Sequence, residues 1–430
     1  MKTINIVTLG CSKNKVDSEH LAGLLASGYE ILHDSDVLSD VVVINTCGFI
    51  GDAKEESIDT ILSFAEARKS GEIDKLIVMG CLSQRYNQEL KNDIHEVDAF
   101  FGVNDLNAIA ALLNINTNGL PQPYHYNRIL STPQHYAYLK ISEGCERSCS
   151  FCAIPLIRGK HRSVPVEQLM DEARNLAAAG VKELILIAQD LTYYGIDING
   201  KRQITNLVDQ LSGIEGIEWI RLQYAYPIGF PEDLIDLIAS NPKVCKYIDL
   251  PLQHISQRIL KSMKRGVDKD QTIELIKRIR EKVPDIAFRT TLIVGYPGET
   301  EDEFEELIRF VEEQRFERLG VFAYSAEEGT SAYDLEDNVT EEIKQFRVNR
   351  IMEIQQNISL QINTLKIGKI ERALIDRIED DYFIGRTQYD SPEVDNEILI
   401  PKENHELVIG QFYSVLITAA DDFDLYATAI

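Results

Sequence analysis

Short apolar runs alternate with helical patterns through the first 115 residues. Ile4–Leu9, Val41–Asn45 and Lys75–Met79 have the length and composition of buried strands, and Ser18–Ala26 and Ala53–Arg68 carry helical periodicity between them. This alternation predicts an N-terminal α/β domain, residues 1–115, with a mostly parallel sheet. Residues 116–134 are rich in Pro, Asn and Gly and read as a linker. A second series comes after it, with strands expected at Tyr138–Ser142, Leu184–Ala188, Trp219–Gln223, Tyr247–Leu250, Ala287–Val294 and Arg318–Ala323. Helical patterns separate them, at Val166–Ala179, Ile204–Ser212, Pro231–Ala239, Gln257–Lys264, Asp270–Lys282 and Glu301–Gln314. Thr300 and Glu303 form a capping-box signature at the start of the last. Six β/α units predict a partial (β/α)6 TIM-like barrel, which with a helix over Glu341–Lys366 fills residues 135–366. Polar and apolar positions alternate between turn signals over 367–430, and predict a small C-terminal β-barrel.

The chain has 430 residues, enough for several cores, and its 44% hydrophobic and 26% charged content is that of a folded protein. The N-terminal apolar stretch is only a few residues long, and no run approaches membrane-span length. A cytoplasmic location with no membrane partner is therefore expected. The formal net charge is −25, which repels nucleic acid unless cations cluster locally and attracts basic partners.

Seven cysteines in a reducing compartment point to metal or catalysis rather than disulfides. Cys145, Cys149 and Cys152 are spaced Cys-x3-Cys-x2-Cys just after the first barrel strand, the end of a barrel where chemistry sits. Three thiolates this close suit three irons of a four-iron cube, leaving one iron open. The alternatives are a zinc site completed by a distant residue, although zinc prefers four protein ligands, or three unrelated buried thiols. Cys11, Cys47 and Cys81 are far apart in sequence, yet each directly follows a short apolar strand. Strand carboxyl ends of an open parallel sheet face one crevice, so the three could converge on one site, with Gly10, Gly48 and Gly80 leaving room beside them. The alternative is three cysteines capping strands. Cys245, at the entry to a strand, reads as a core residue. The run Arg158-Gly-Lys-His-Arg162 either offsets negative charge at the site or is a solvated loop.

The stretch Cys145–Pro155, with Phe151 just before the third cysteine, resembles the radical S-adenosylmethionine superfamily. That resemblance implies a 4Fe-4S cluster whose open iron is chelated by S-adenosylmethionine, and an external one-electron donor. It also implies cofactor contacts at Phe151, Gln189, Asp190, Asp249, Gln253 and Gly295, although a glycine at an apolar strand end also serves plain packing. With Cys11, Cys47 and Cys81 added, nearly the whole chain resembles the methylthiotransferase family. This wider resemblance implies a second, auxiliary 4Fe-4S cluster on those three thiols, a C-terminal TRAM barrel, and replacement of C–H by C–S–CH3. The wording Leu9–Glu19, Asn45–Asp59 and Gly80–Tyr86 is similar to the branch that modifies the β-carbon of an aspartate in small-subunit ribosomal protein twelve. The other branch modifies an adenosine in transfer RNA. Residues 360–430 hold six Lys and Arg against fourteen Asp and Glu. A barrel gripping RNA should be basic, so a basic ribosomal protein is the expected substrate, with no direct nucleic-acid grip.

Overall fold

The computed structural model describes residues 1–37, 39–116 and 128–430. Its first part runs β1 (Lys2–Thr8), α1 (Ser12–Leu25), β2 (Tyr29–His33), β3 (Val41–Thr46), α2 (Gly51–Ser70) and β4 (Lys75–Gly80). It continues with α3 (Cys81–Arg85), α4 (Asn87–Asp93), β5 (Ala99–Phe100) and α5 (Leu106–Leu112). The five strands form one sheet in the order β2-β1-β3-β4-β5, every pairing parallel. All six residues of β3 are buried, as a central strand covered on both faces requires. One face packs Ile4, Ile6 and Val43 against Leu21 of α1 and Ile109 of α5; the other packs Val42, Ile44 and Val78 against Ile61 of α2 and Leu90 of α4. Chain order reverses between β1 and β3, so the ligand crevice lies outside the carboxyl ends of those two strands.

The middle part opens with β6 (Tyr136–Lys140), β7 (Ser142–Glu143), α6 (Ile154–Arg158), β8 (Arg162–Ser163), α7 (Val166–Ala178) and β9 (Glu183–Ile187). Then come α8 (Ile196–Asn199), α9 (Ile204–Ser212), β10 (Trp219–Leu222), α10 (Glu232–Ser240), β11 (Tyr247–Asp249), α11 (Gln257–Ser262) and α12 (Lys269–Lys282). It closes with β12 (Ala287–Val294), α13 (Glu301–Gln314), β13 (Arg318–Ala323) and α14 (Glu341–Thr364). The parallel sets β6-β9-β10 and β11-β12-β13 are joined through a bridge between Ile220 and Val244, giving six strands in chain order. Among the described residues β13 and β6 do not pair, so the barrel is partial. Val16 of α1 packs with Tyr136, Tyr138, Ile185 and Ile187, and the N-terminal part thus covers the open side. Helices stand outside with their apolar stripes inward; Leu169, Ala173 and Leu176 of α7 are at helical spacing and buried. The capping box at α13 is present, with Thr300 and Glu303 exchanging hydrogen bonds.

The last part, β14 (Ile370–Glu379), β15 (Tyr382–Thr387), β16 (Ile398–Pro401), β17 (Phe412–Ala420) and β18 (Leu425–Ala429), closes as a barrel in the order β14-β15-β16-β18-β17. The expected strands are present with ends shifted by a residue or two; the first barrel strand lies at Tyr136–Lys140 rather than Tyr138–Ser142. Strands β2 and β5 were not expected. β2 is only half-buried at the sheet edge and β5 is two residues long, so neither carries a clear apolar run.

Of the expected linker, 117–127 lie outside the described residues. Its described end is fastened: Arg128, buried, donates to Glu19 of α1 at 2.7 Å and Glu172 of α7 at 2.8 Å. A buried carboxylate on each side holds a guanidinium in place, an arrangement that Pro and Gly content cannot reveal.

Candidate functional site

Two groups of thiols lie where the N-terminal sheet faces the barrel, with Cys81 packed against Ala153 and Ile157 of the barrel side. Cys11 precedes the first turn of α1, Cys47 follows β3, and Cys81 is the first residue of α3. They flank the β1/β3 switch point and its neighbour β4, and Cys11 stands close enough to raise the thiols of Cys47 and Cys81. A Cβ on Gly10, whose φ is +90°, would stand 2.9 Å from the Cys47 sulfur, so Cys47 lies directly over the Cys11 turn. Cys81 Sγ is 3.7 Å from Asn14 Oδ1. Asn14 itself donates to Leu9 O at 2.8 Å and Thr46 O at 3.0 Å, tying together the chain just before Cys11 and Cys47.

Cys145, Cys149 and Cys152 form the second group, on a loop after β7. The loop is pinned from several sides: Cys145 N donates to Gly159 O, Ser150 N to Met263 O, and Ser150 Oγ meets Tyr296 OH at 2.9 Å. Arg147 N approaches Cys145 Sγ at 3.3 Å, and Arg265 Nη1 approaches Cys149 Sγ at 3.4 Å. The guanidinium groups of Arg147 and Arg265 both face the Tyr226 ring, at 4.4 and 4.3 Å. Tyr226 OH is 3.5 Å from Cys149 Sγ. The cations and the phenol set a positive, water-poor wall along this trio.

Burial pushes the thiols of Cys81 and Cys152 up to about 12 and that of Cys145 to about 11. Buried thiols of this kind ionise only against a strong local cation, and metal ligation supplies one. Among the described residues no three His, Cys, Asp or Glu side chains converge on a single ion. A polynuclear cluster, in contrast, holds its thiolates on separate irons and therefore further apart. Two sulfur-only trios with guanidinium groups nearby fit four-iron clusters, each with one iron left to another ligand.

The other expected contacts divide. Phe151 and Gln253 line a cavity of about 510 Å³, with Gln253 held in the left-handed region at φ +75°. Gln189 Nε2 donates to Glu143 Oε1 at 2.9 Å, while its buried Oε1 accepts from no described residue. Asp190 is buried and already engaged, by Arg147 Nε at 2.8 Å and Thr192 Oγ1 at 2.7 Å. Asp249 accepts from Tyr224 N at 3.0 Å and faces Arg289 at 3.5 Å. Gly295, at φ +71°, ends β12 beneath Lys344, where a Cβ would lie 2.3 Å from Cγ of that side chain. It is not part of the cavity lining.

The cavity is also lined by Phe49 and Ile50, just past Cys47, and by Tyr324, Glu327, Asp337 and Glu341. Glu327 is buried and anchored to the N-terminal part by Arg85 at 2.5 Å and Lys54 at 3.0 Å. A second hollow, of about 610 Å³, lies on the outer helical face between Met170 and Gly216 and contains no cysteine.

Known proteins repeat this three-part layout. A profile described as uncharacterized protein family UPF0004 matches residues 3–102, the radical SAM superfamily matches 139–311, and the TRAM domain matches 367–430. Ribosomal protein uS12 methylthiotransferase RimO of Cytophaga hutchinsonii is 55% identical over 99% of this chain and 98% of its own length. The RimO of Christiangramia forsetii is 54% identical over 98% of this chain and 93% of its own. The chain belongs to the RimO family. At the level of fold alone, it resembles the radical S-adenosylmethionine methyltransferase TsrM of Kitasatospora setae. The TM-score is 0.54 at 16% identity, over 75% of this chain and 73% of that one.

Sequence reasoning did not single out Asn14, Arg147, Tyr226 or Arg265. Arg147 sits inside the cysteine loop and was within reach. Tyr226 comes from the loop after β10 and Arg265 from the connection between α11 and α12, and no local pattern marks them. Asn14 stands three residues past Cys11, where a helix brings it back under the strand ends.

Proposed function

We propose that this chain installs a methylthio group on the β-carbon of an aspartate in ribosomal protein uS12. The observation that carries the reading is the shared cavity: the loop after Cys47 and the residue before Cys152 border the same space. In this reading Cys145, Cys149 and Cys152 hold the radical-generating 4Fe-4S cluster, and Cys11, Cys47 and Cys81 hold the auxiliary one. When bound, the clusters and S-adenosylmethionine supply hydrogen-abstracting radical chemistry together with the sulfur and the methyl group.

The protein's part is to bind, orient and exclude water. Phe151 and Gln253 line the cavity read as the cofactor space, and Gln189 keeps one buried acceptor, Oε1, without a partner among the described residues. Asp190 acts through Arg147, which it holds against Tyr226, and Asp249 acts by fixing the Tyr224 turn at the end of β10. Gly295 lets β12 end close to Lys344. The segment 326–342 carries seven carboxylates and no lysine or arginine. Glu327, Asp337 and Glu341 line the cavity with their cations beside them, Arg85 and Lys54 on Glu327 and Lys344 on the other two; the carboxylates in excess over these pairs suit a basic polypeptide and oppose an RNA backbone. An external one-electron donor is required, and a cytoplasmic setting accords with a ribosomal substrate.

The test is incubation of anaerobically reconstituted enzyme with S-adenosylmethionine, reductant and purified uS12 or transfer RNA. The expected result is a methylthio mass increment on a uS12 aspartate peptide and none on nucleosides. Modification of the transfer RNA alone would replace this substrate with the nucleic-acid one.

A further inference from the structure

Arg158 ends α6, six residues beyond Cys152 on the barrel side, yet its side chain points at the other trio. The side chain is 1% exposed. Its Nη2 donates to Asn14 Oδ1 at 2.6 Å, the same oxygen that lies 3.7 Å from Cys81 Sγ. Its Nη1 is gripped from behind by Glu143, at 3.0 Å to both carboxylate oxygens, and by Asp17 at 3.2 Å. Lys140 pairs with the same two carboxylates. Two cations and two carboxylates thus form a locally balanced buried set. Glu143 lies two residues before Cys145 and also receives Gln189 Nε2. The path Cys145 loop–Glu143–Arg158–Asn14–Cys81 is a continuous chain of hydrogen-bonded or adjacent groups.

The backbone around it is equally tight. A Cβ on Gly144 would meet Lys160 O at 2.2 Å and Gly159 O at 2.6 Å, so the Cys145 turn and the chain just after Arg158 cannot move independently. Arg158 also exerts a favourable charge effect on Cys81 and Cys47.

We propose that Arg158 is a positioning residue for the auxiliary centre, contributed by the radical half of the molecule. Its guanidinium holds Asn14 beneath the Cys11–Cys47–Cys81 trio and lends that trio positive potential. The inference rests on the reading of both trios as cluster ligands. A fixed positive charge favours the reduced, more negative state of a nearby cluster, so removing it lowers the midpoint potential.

The experiment uses the full-length chain with Cys145, Cys149 and Cys152 all replaced by Ala, reconstituted with iron and sulfide. Its readouts are EPR-monitored redox titration and EPR line shape. Arg158→Lys and Arg158→Gln are made in that background. The expected order of midpoint potential is Arg highest, Lys between, Gln lowest, with the line shape altered in both variants because Asn14 loses its fork partner. Equal potentials in all three, or Lys no higher than Gln, would overturn the proposal. Should Arg158→Gln not stay soluble, the Arg–Lys comparison decides alone: a lower value for Lys supports the role and an equal one refutes it. Absence of any cluster in the starting background would instead refute the ligand reading itself.

Discussion

A Cβ at Gly48 would lie 2.7 Å from both the nitrogen and the Cα of Leu82. Backbone cannot swing aside as a side-chain tip does, so Gly48→Ala should push the Cys47 loop away from Cys81. Iron per reconstituted chain should then fall from about eight to about four, with far-UV CD retained; undiminished iron would show that the close approach is dispensable. His254 gives a prediction of a different kind. It is fully buried, its Nδ1 accepts from Ser256 N at 3.0 Å, and burial lowers its pKa to about 3. The unfolded imidazole titrates near 6.5, above the folded value. The associated stability is therefore complete above about pH 6.5 and is lost progressively as pH falls toward 3, on the order of 5 kcal/mol in all. His254→Asn should flatten the dependence of the urea midpoint on pH across that window. The six cysteines of the two trios were readable because each stands at the end of an apolar run or in a tight local spacing. His254 and Arg265 were not, because their roles come from what surrounds them after folding.

Element by element, periodicity carried the reading furthest where strands are wholly buried. β3, β9 and β10 are wholly buried and mostly apolar, with polar turns around them, and their expected and observed ranges differ by no more than a residue. Edge pieces such as β2 lack that contrast, and the start of β6 blurred because Tyr136 and Ala137 follow a Pro-containing segment. The capping box of α13 was legible because its residues are local in sequence. Thr300 Oγ1 and Glu303 close the first turn, and Glu303 also receives Ser256 Oγ at 2.8 Å and Arg258 Nε at 2.9 Å. Thr300→Ala should cost about 1 kcal/mol, seen as a lower urea midpoint with iron content unchanged. Glu303→Ala should cost more, because it also frees the loop that leads from Gln253 into α11.

The whole molecule is held by buried charge at its seams, and these pairings join residues far apart in sequence, which is why composition and periodicity did not disclose them. Glu183 at the start of β9 binds Arg221 of β10 at 2.7 Å and Arg386 of β15 at 2.7 Å, and Arg386 pairs in turn with Asp376 at 2.6 Å. Removing one partner strands the others, at a cost of about 3–5 kcal/mol. Glu183→Gln should therefore loosen the C-terminal barrel, detected as faster limited proteolysis within 367–430. The same seams bear on the charge of that barrel. Arg386 is buried, Arg372 is taken by Glu218 at 2.5 Å, and Arg377 by Glu397 at 2.6 Å. Three of its five cations are thus already paired, while Glu403 and Asp422 face outward or lie only half-covered. With a net charge of −25 over the chain, encounter with a basic protein should be steered electrostatically and screened by salt, since the Debye length falls from about 10 Å at 0.1 M to about 3 Å at 1 M. Raising salt should accordingly increase KM for uS12 while leaving kcat nearly unchanged, because the screened charges guide approach and do not touch the reacting atoms. Replacing Asp334, Glu336 and Glu342 together by neutral amides should raise KM at low salt and weaken its salt dependence. A KM indifferent to both changes would mean that the acidic segment 326–342 takes no part in drawing the substrate to the cavity.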